Sequence, residues 1–225
     1  MAFTLAQMRE KVRQRADMEN STFVSDSELT GYINASYAEL YDILVSRFED
    51  YYSNTESFTI SSGNSRALPA TCYKVRGLDF VLSGNDYYTL RRWNFEERNR
   101  IDRARNRLLN GNNDRAYRVM GQNILVLPED KGPGSYRLWF IPRFTPLSAD
   151  ADLMGDVLDF EEYVVVDAAM KCLIKEESDI QELMILKQAL KARIEALASN
   201  RDTQPERISD VRKDVDDIYL LQRGY

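Results

Sequence analysis

Nine arginines fall between positions 91 and 118 (Arg91, Arg92, Arg98, Arg100, Arg103, Arg105, Arg107, Arg115 and Arg118), opposed there only by Glu96, Glu97, Asp102 and Asp114. The segment carries a net charge of +5 inside a chain whose formal net charge is −6. Guanidinium forks match planar anions, so this region suits phosphate or an acidic protein surface. Arg98, Arg100, Arg103, Arg105 and Arg107 are therefore candidates for a subunit interface or for direct contact with DNA. The plainer alternative is a solvated helix with internal pairs such as Asp102 with Arg98, which contribute little energy by themselves. A second group is acidic. Glu161, Glu162, Asp167, Glu176 and Glu177 offer paired carboxylates that acid–base or two-metal chemistry could use. Helical spacing places Glu162 on the solvent side, and exposed acids are common on helices. Asp150, Asp152 and Asp156 with Gly155 match a calcium loop in composition alone, because the ligand spacing and terminal Glu are missing. A loop that caps the next helix is the expected role.

Other chemistries lack their residues. The chain has no histidine, which removes Ser-His-Asp and Cys-His nucleophiles, most catalytic zinc sites and the commonest base near neutral pH. Cys72 and Cys172 have no CxxC neighbour and are expected to be buried apolar residues. Neither GxxxxGK[S/T] nor GxGxxG occurs, so nucleotide binding has no support and no cofactor or metal is expected. An acidic protein is a poor coat for DNA, yet an acidic or mixed lumen would let DNA slide without being gripped. The 13 tyrosines and 9 phenylalanines are expected in cores and sheets more than as a stacking platform for bases. Trp93 and Trp139, at strand ends, are read as core or interface anchors.

The elements that must position these groups centre on residues 160–200, read as two successive amphipathic helices. Asp159 is a candidate N-cap, with Glu161 and Glu162 at the positive end of the dipole. Tyr163, Val166, Met170, Leu173 and Ile174 recur at helical spacing, with Ala168 and Ala169 permitting close backbone approach. Ile180, Leu183, Leu190, Ile194 and Leu197 form a second stripe, with Lys187, Lys191 and Arg193 at its wet side or rim. The core of this hairpin is assigned to Tyr163, Val166, Met170, Leu173, Leu183, Leu190 and Ile194, and neither helix can bury its stripe alone.

Earlier in the chain, Thr4 can cap a helix from Leu5 to about Asp17. Ser25 and Glu28 have the capping-box spacing, with Phe23 and Val24 as a staple. Leu29, Ile33, Tyr37, Leu40, Leu44 and Phe48 then mark a long helix ending near Tyr52, the natural cover for the hairpin. Between these helices the pattern changes to short β-branched and aromatic runs at 57–60, 73–82, 87–91, 123–127 and 136–141, punctuated by Gly-containing turns. One helix is expected among them, capped by Asn94 and running from Phe95 to Leu109. Beyond residue 200, Ile208, Val211, Val215, Ile218 and Leu221 return at helical spacing. A lone helix of that length needs a docking surface, either on its own hairpin or on another protein.

The predicted fold class is α+β, mainly α: a discontinuous helical bundle (1–52 and 146–200), an inserted antiparallel β-rich domain with one Arg-rich helix (53–145), and a C-terminal docking tail (201–225). No segment is apolar enough to span a bilayer. Residues Met1–Leu5 show no basic region leading into an apolar run, so synthesis in the cytoplasm is expected.

The run EEYVVVDAAMKCLIKEESD, Glu161 to Asp179, resembles the corresponding helix of head-tail adaptor proteins of short-tailed double-stranded DNA phages. The resemblance extends to Leu5–Tyr52, Trp139–Asp152 and the tail after Arg201. It implies a non-enzymatic virion protein at the head-tail junction: a ring, twelve-fold in that family, with the portal on one side and tail nozzle or fibre-bearing proteins on the other. Viral DNA would pass through the lumen without sequence-specific contact, and no membrane is involved. It further implies that the tail, with Ile208, Val211, Val215, Ile218, Tyr219, Leu221 and Tyr225, docks on the portal. Two rivals remain open: a metal-dependent carboxylate nuclease or hydrolase, and a DNA-binding regulator that reads through the Arg-rich helix.

Overall fold

The computed structural model describes residues 3–84, 86–103, 115–155 and 160–201. Helix α1, Leu5–Arg15, starts from a reciprocal cap: the Gln7 N–H donates to the Thr4 hydroxyl and the Thr4 N–H donates to the Gln7 carboxamide, satisfying two of the amides that open a helix. Helix α2, Asp26–Arg47, is capped by Ser25, whose hydroxyl accepts from the Glu28 N–H. The second half of the expected box is missing because the Glu28 carboxylate accepts instead from Lys175 and Tyr32. Val24 is buried, whereas Phe23 of the expected staple is half exposed beneath the Lys175 ammonium. Leu29, Ile33, Tyr37, Leu40, Leu44 and Phe48 are all buried, as the stripe requires.

The middle of the chain forms two four-stranded sheets. One has the order β1 (Asn54–Ile60), β8 (Gly134–Pro142), β3 (Cys72–Ser83), β4 (Asp86–Thr89). The other has the order β2 (Ser65–Ala67), β7 (Asn123–Leu127), β6 (Ala116–Met120), β5 (Arg91–Arg92). All pairings are antiparallel except β5 with β6. Leu78, Tyr117, Ile124, Val126, Tyr136 and Leu138 from both sheets share one apolar core. The Gly132-Pro133-Gly134 turn closes against the turn at Gly63-Asn64: a Cβ on Gly132 would lie 2.4 Å from the Gly63 carbonyl oxygen. The Tyr136 hydroxyl donates to the Gly132 carbonyl at 2.6 Å and locks the approach.

Helices α4, Glu161–Lys175, and α5, Gln181–Arg201, form the expected hairpin, and α2 covers both. The helical core gathers Leu5, Met8 and Val12 from α1, the α2 stripe, Ile141 and Leu147 from the return passage, Tyr163, Ala168, Ala169 and Cys172 from α4, and Ile194 from α5. Leu173, Leu183 and Leu190 pack at its margin, while Val166 and Met170 are buried. Leu197, expected on the stripe, is 42% exposed.

The expectation of a mainly helical protein is overturned: 42% of the described residues are helical and 28% lie in strands, an α+β fold with substantial sheet. The shortfall has a physical cause. Strands β2, β5 and β6 are two to five residues long, too short to display a period-2 pattern, so the second sheet shows in the sequence chiefly through β7, the run read at 123–127. The Arg-rich helix is described only as a 3-10 turn at Phe95–Glu97 followed by α3, Arg98–Arg103. Its expected continuation to Leu109 and the cap Asp159 lie outside the described residues, as does the tail with Ile208, Val211, Val215, Ile218, Tyr219, Leu221 and Tyr225. Phe160 occupies the N-cap position of α4 without a side-chain hydrogen bond.

Two glycines should respond oppositely to alanine. Gly132→Ala forces a Cβ into backbone that cannot yield cheaply and should destabilise by about 1–3 kcal/mol. Gly31→Ala, inside α2 with nothing within 4 Å of the new Cβ, should stabilise by about 0.5–1 kcal/mol. Urea denaturation of the two variants reads both signs.

Candidate functional site

The acidic residues singled out from the sequence do not form a catalytic pair. Asp167 is 4% exposed and sits where α2, α4 and α5 meet. The Lys171 ammonium donates to its Oδ2 at 2.6 Å and the Lys187 ammonium to its Oδ1 at 2.8 Å. Lys171 also reaches the Ser36 hydroxyl at 2.8 Å, and Lys187 reaches Glu39 at 3.0 Å. Glu39 in turn accepts from the Tyr163 hydroxyl at 2.7 Å. Two carboxylates and two ammonium groups balance, which is what a low-dielectric site demands. Burial pushes the Asp167 carboxyl up, but the hydrogen bonds from Lys171 and Lys187 outweigh it and hold the pKa below the ordinary value. Burial likewise lowers Lys187, and its bonds to Asp167 and Glu39 more than restore it, leaving the amine above its ordinary value. Burial first and Glu39 second push the Tyr163 phenol upward. A carboxylate held ionised and a lysine held protonated are poor proton-transfer groups at neutral pH. Lys187, expected at the wet rim, is turned inward by this network.

The remaining acids are dispersed. Glu161 is buried, and Glu162 pairs with Arg15 at the surface. Asp150 pairs with Arg9 at 2.8 Å. Asp152 accepts from the Ser148 and Ala149 N–H groups, which hold its pKa low. It therefore caps its own loop instead of helix α4; Asp156 lies outside the described residues. Among the described residues no three His, Cys, Asp or Glu side chains are grouped to hold a metal ion. Cys72 and Cys172 are free and buried, and burial raises both thiols.

The arginine segment makes a built surface. The exposed ring of Phe95 lies between two guanidinium groups, Arg98 at 4.2 Å and Arg118 at 5.7 Å from its centroid. Arg118 also lies 5.5 Å from the Trp93 ring and donates to the Trp93 carbonyl. Trp93 is 2% exposed, which decides for the core between the core and interface roles left open for it. Arg92 is structural: it donates to the Tyr117 hydroxyl and to the Val75 and Arg76 carbonyls, tying the two sheets together. Arg91 pairs loosely with Glu97 at 3.4 Å. Arg98 donates to the Phe95 carbonyl at 2.9 Å, and the side chain of Asp102, its expected partner, lies outside what the structure describes. Arg100 and Arg103 lie on α3 by their backbone, while Arg105 and Arg107 fall outside the described residues. Trp139 is 36% exposed and donates its indole N–H to Asp79 at 2.6 Å.

A third feature had no sequence signal. Where the helices meet the first sheet, Tyr37, Tyr41, Tyr51, Pro142, Arg143 and Phe144 line an open groove of about 840 Å³. It is built from segments more than eighty residues apart, so neither periodicity nor spacing announces it. Tyr41 donates its hydroxyl to the Pro142 carbonyl across its floor at 2.7 Å.

No family model matches this chain, and a search of curated proteins finds none that matches it.

The Asp167 network predicts a pH profile. Its carboxyl pKa lies below 3.8 in the folded state, so its stabilisation is present above that value and is lost as pH falls through the folded pKa. Lys187, raised above 10.5, contributes at all lower pH and loses its share only in stronger alkali. Melting temperature should therefore be flat from about pH 5 to 9 and fall in acid. Lys187→Met should cost about 2–3 kcal/mol at pH 7, because it leaves the buried Asp167 with one partner fewer. The penalty should shrink as the carboxyl is protonated, and calorimetry from pH 2 to 7 measures both effects.

Proposed function

We propose that the chain is a non-enzymatic ring subunit joining a DNA-filled phage head to its tail, with the portal on one side and tail proteins on the other. The observation that carries the reading is how the resembling segments assemble. Leu5–Tyr52, Trp139–Asp152 and Glu161–Asp179 are far apart in sequence, yet all three contribute to the helical unit. Leu5, Met8, Leu40, Leu147, Tyr163 and Cys172 belong to one core, and the Leu5 N–H donates to the Asp152 carbonyl at 2.9 Å. A resemblance confined to unrelated surface patches would carry less weight.

The charge distribution suits the role. Asp150 to Glu195 holds 12 acids against 5 basic residues, and a net acidic ring around a channel repels the DNA backbone and leaves water and ions between. The tail would dock on the portal as a helix in a groove, using Ile208, Val211, Val215, Ile218, Tyr219, Leu221 and Tyr225.

Purified chain mixed with tail-less, DNA-packaged heads of the parent virus should co-sediment with them saturably. A version ending at Asn200 should lose that binding. Binding to purified tails alone would move the protein lower in the tail, and binding to neither heads nor tails would overturn the adaptor reading.

A further inference from the structure

Helix α2 is a strut whose two ends carry different surfaces. At its start Glu28 pairs with Lys175 at 2.7 Å, so the α4–α5 turn sits beside that end. At its finish Glu49 and Asp50 pair with Lys74 and Arg76 of β3, and Arg92 reaches the Val75 and Arg76 carbonyls. From Glu28 to Arg47 the helix spans about 28 Å at 1.5 Å per residue. The hairpin tip and the arginine surface therefore lie at opposite ends of the strut and cannot meet within one chain.

Their chemistries are complementary. The tip exposes Glu176, Glu177, Asp179 and Glu182 around three large apolar side chains, Ile174, Met184 and Ile185, which are 56%, 43% and 68% exposed. Near the other end, Arg98 and Arg118 flank the exposed Phe95 ring. Together with exposed Arg91 and Arg92 they outnumber Glu96 and the Arg91-paired Glu97, and Met120 is 42% exposed on the same strand as Arg118. Each surface has an apolar centre and a charged rim, the two rims being of opposite sign, which is the anatomy of a specific interface.

We infer that the acidic hairpin tip of one copy docks on the arginine–Phe95 surface of the next. Two different surfaces of the same chain make a heterologous contact, which propagates head to tail and closes into a ring when the rotation per subunit allows. Apolar contact between Ile185, Met184 and Phe95 supplies the adhesion. The charges fix the register and exclude tip-to-tip and patch-to-patch pairing, since like charges would face each other. This inference rests on the reading of the chain as a ring subunit and names the interface that closes the ring.

Two charge-reversed variants test it on packaged heads: Glu177→Lys with Glu182→Lys at the tip, and Arg91→Glu with Arg98→Glu at the patch. All four positions are exposed, and circular dichroism and a melting curve check that each variant folds. The unaltered chain should bind heads cooperatively, in several copies per head. Each variant alone should lose cooperativity and require more than about tenfold higher concentration for half-saturation. An equimolar mixture of the two should restore cooperative binding, because the reversed tip now matches the reversed patch and the two unaltered surfaces match each other. Variants that bind as cooperatively as the unaltered chain, or a folded mixture that fails to recover, would overturn this interface while leaving the ring reading standing. Failure of the unaltered chain to bind either heads or tails would overturn the ring reading itself.

Discussion

A carboxylate inside a helical layer has to be neutralised where it sits, and Asp167 sets the terms for the helices around it. Its side chain is 5% exposed, and its two ammonium partners come from different helices: Lys171 one turn along α4, and Lys187 from α5. Lys187 then ties α5 to α2 through Glu39, while Tyr163 and Ser36 fill the remaining hydrogen-bonding positions. An uncompensated charge here would cost as much as a large cavity in the core. The network thereby fixes a register that apolar stripes alone would leave loosely defined. Pairs along α2 run 28 with 175, 36 with 171 and 39 with 163, making α4 antiparallel to it.

The same strut couples the helical layer to the sheets. Glu49 and Asp50 engage Lys74 and Arg76, the Tyr73 hydroxyl donates to Asp42, and Tyr41 bonds the Pro142 carbonyl where β8 ends. These contacts are mostly polar and exposed, so each is weak individually. Their position at one end of α2 nevertheless makes the molecule two-ended, with an acidic, apolar tip beyond one end and an arginine–aromatic surface near the other. Two-endedness is the property a head-to-tail assembly requires, and it arises from one long helix that packs in the helical core along its length and meets the sheets through polar contacts at one end.

Legibility in the sequence followed the length and amphipathicity of each element. Helices α1, α2, α4 and α5 announced themselves because three or more turns of a repeating stripe cannot be mistaken for alternation, and the caps at Thr4 and Ser25 marked two starts. Strands β3, β7 and β8 were visible for their β-branched and aromatic content. Strands β2, β5 and β6 were not, because two to five residues show no period and these lack the continuous apolar run that marks β7, which is as short as β6, so the sheet content was underestimated. Trp93 and Trp139 were both read as core or interface anchors, and only burial separates them, at 2% and 36% exposed. The stacking of the Arg98 guanidinium on Phe95 and its bond to the Phe95 carbonyl had no sequence signal. The junction groove and the inward turn of Lys187 were invisible for a shared reason: each depends on segments whose meeting is not encoded by any local pattern.

By itself, then, the sequence determined the local terms: which residues start and stop the long helices, which face of each is apolar, where charge is concentrated, and that histidine-based chemistry is absent. These follow from covalent neighbours and spacing within a few turns. Only the tertiary structure decided that Asp167 is an internal tie and not a reactive acid, that the middle of the chain closes into two sheets, and that the acidic tip and the arginine surface lie toward opposite ends of α2, which spans about 28 Å from Glu28 to Arg47. Those outcomes depend on contacts between residues 28 and 175, 39 and 187, or 76 and 92, and the energy of such a contact exists only once the chain has brought its partners together.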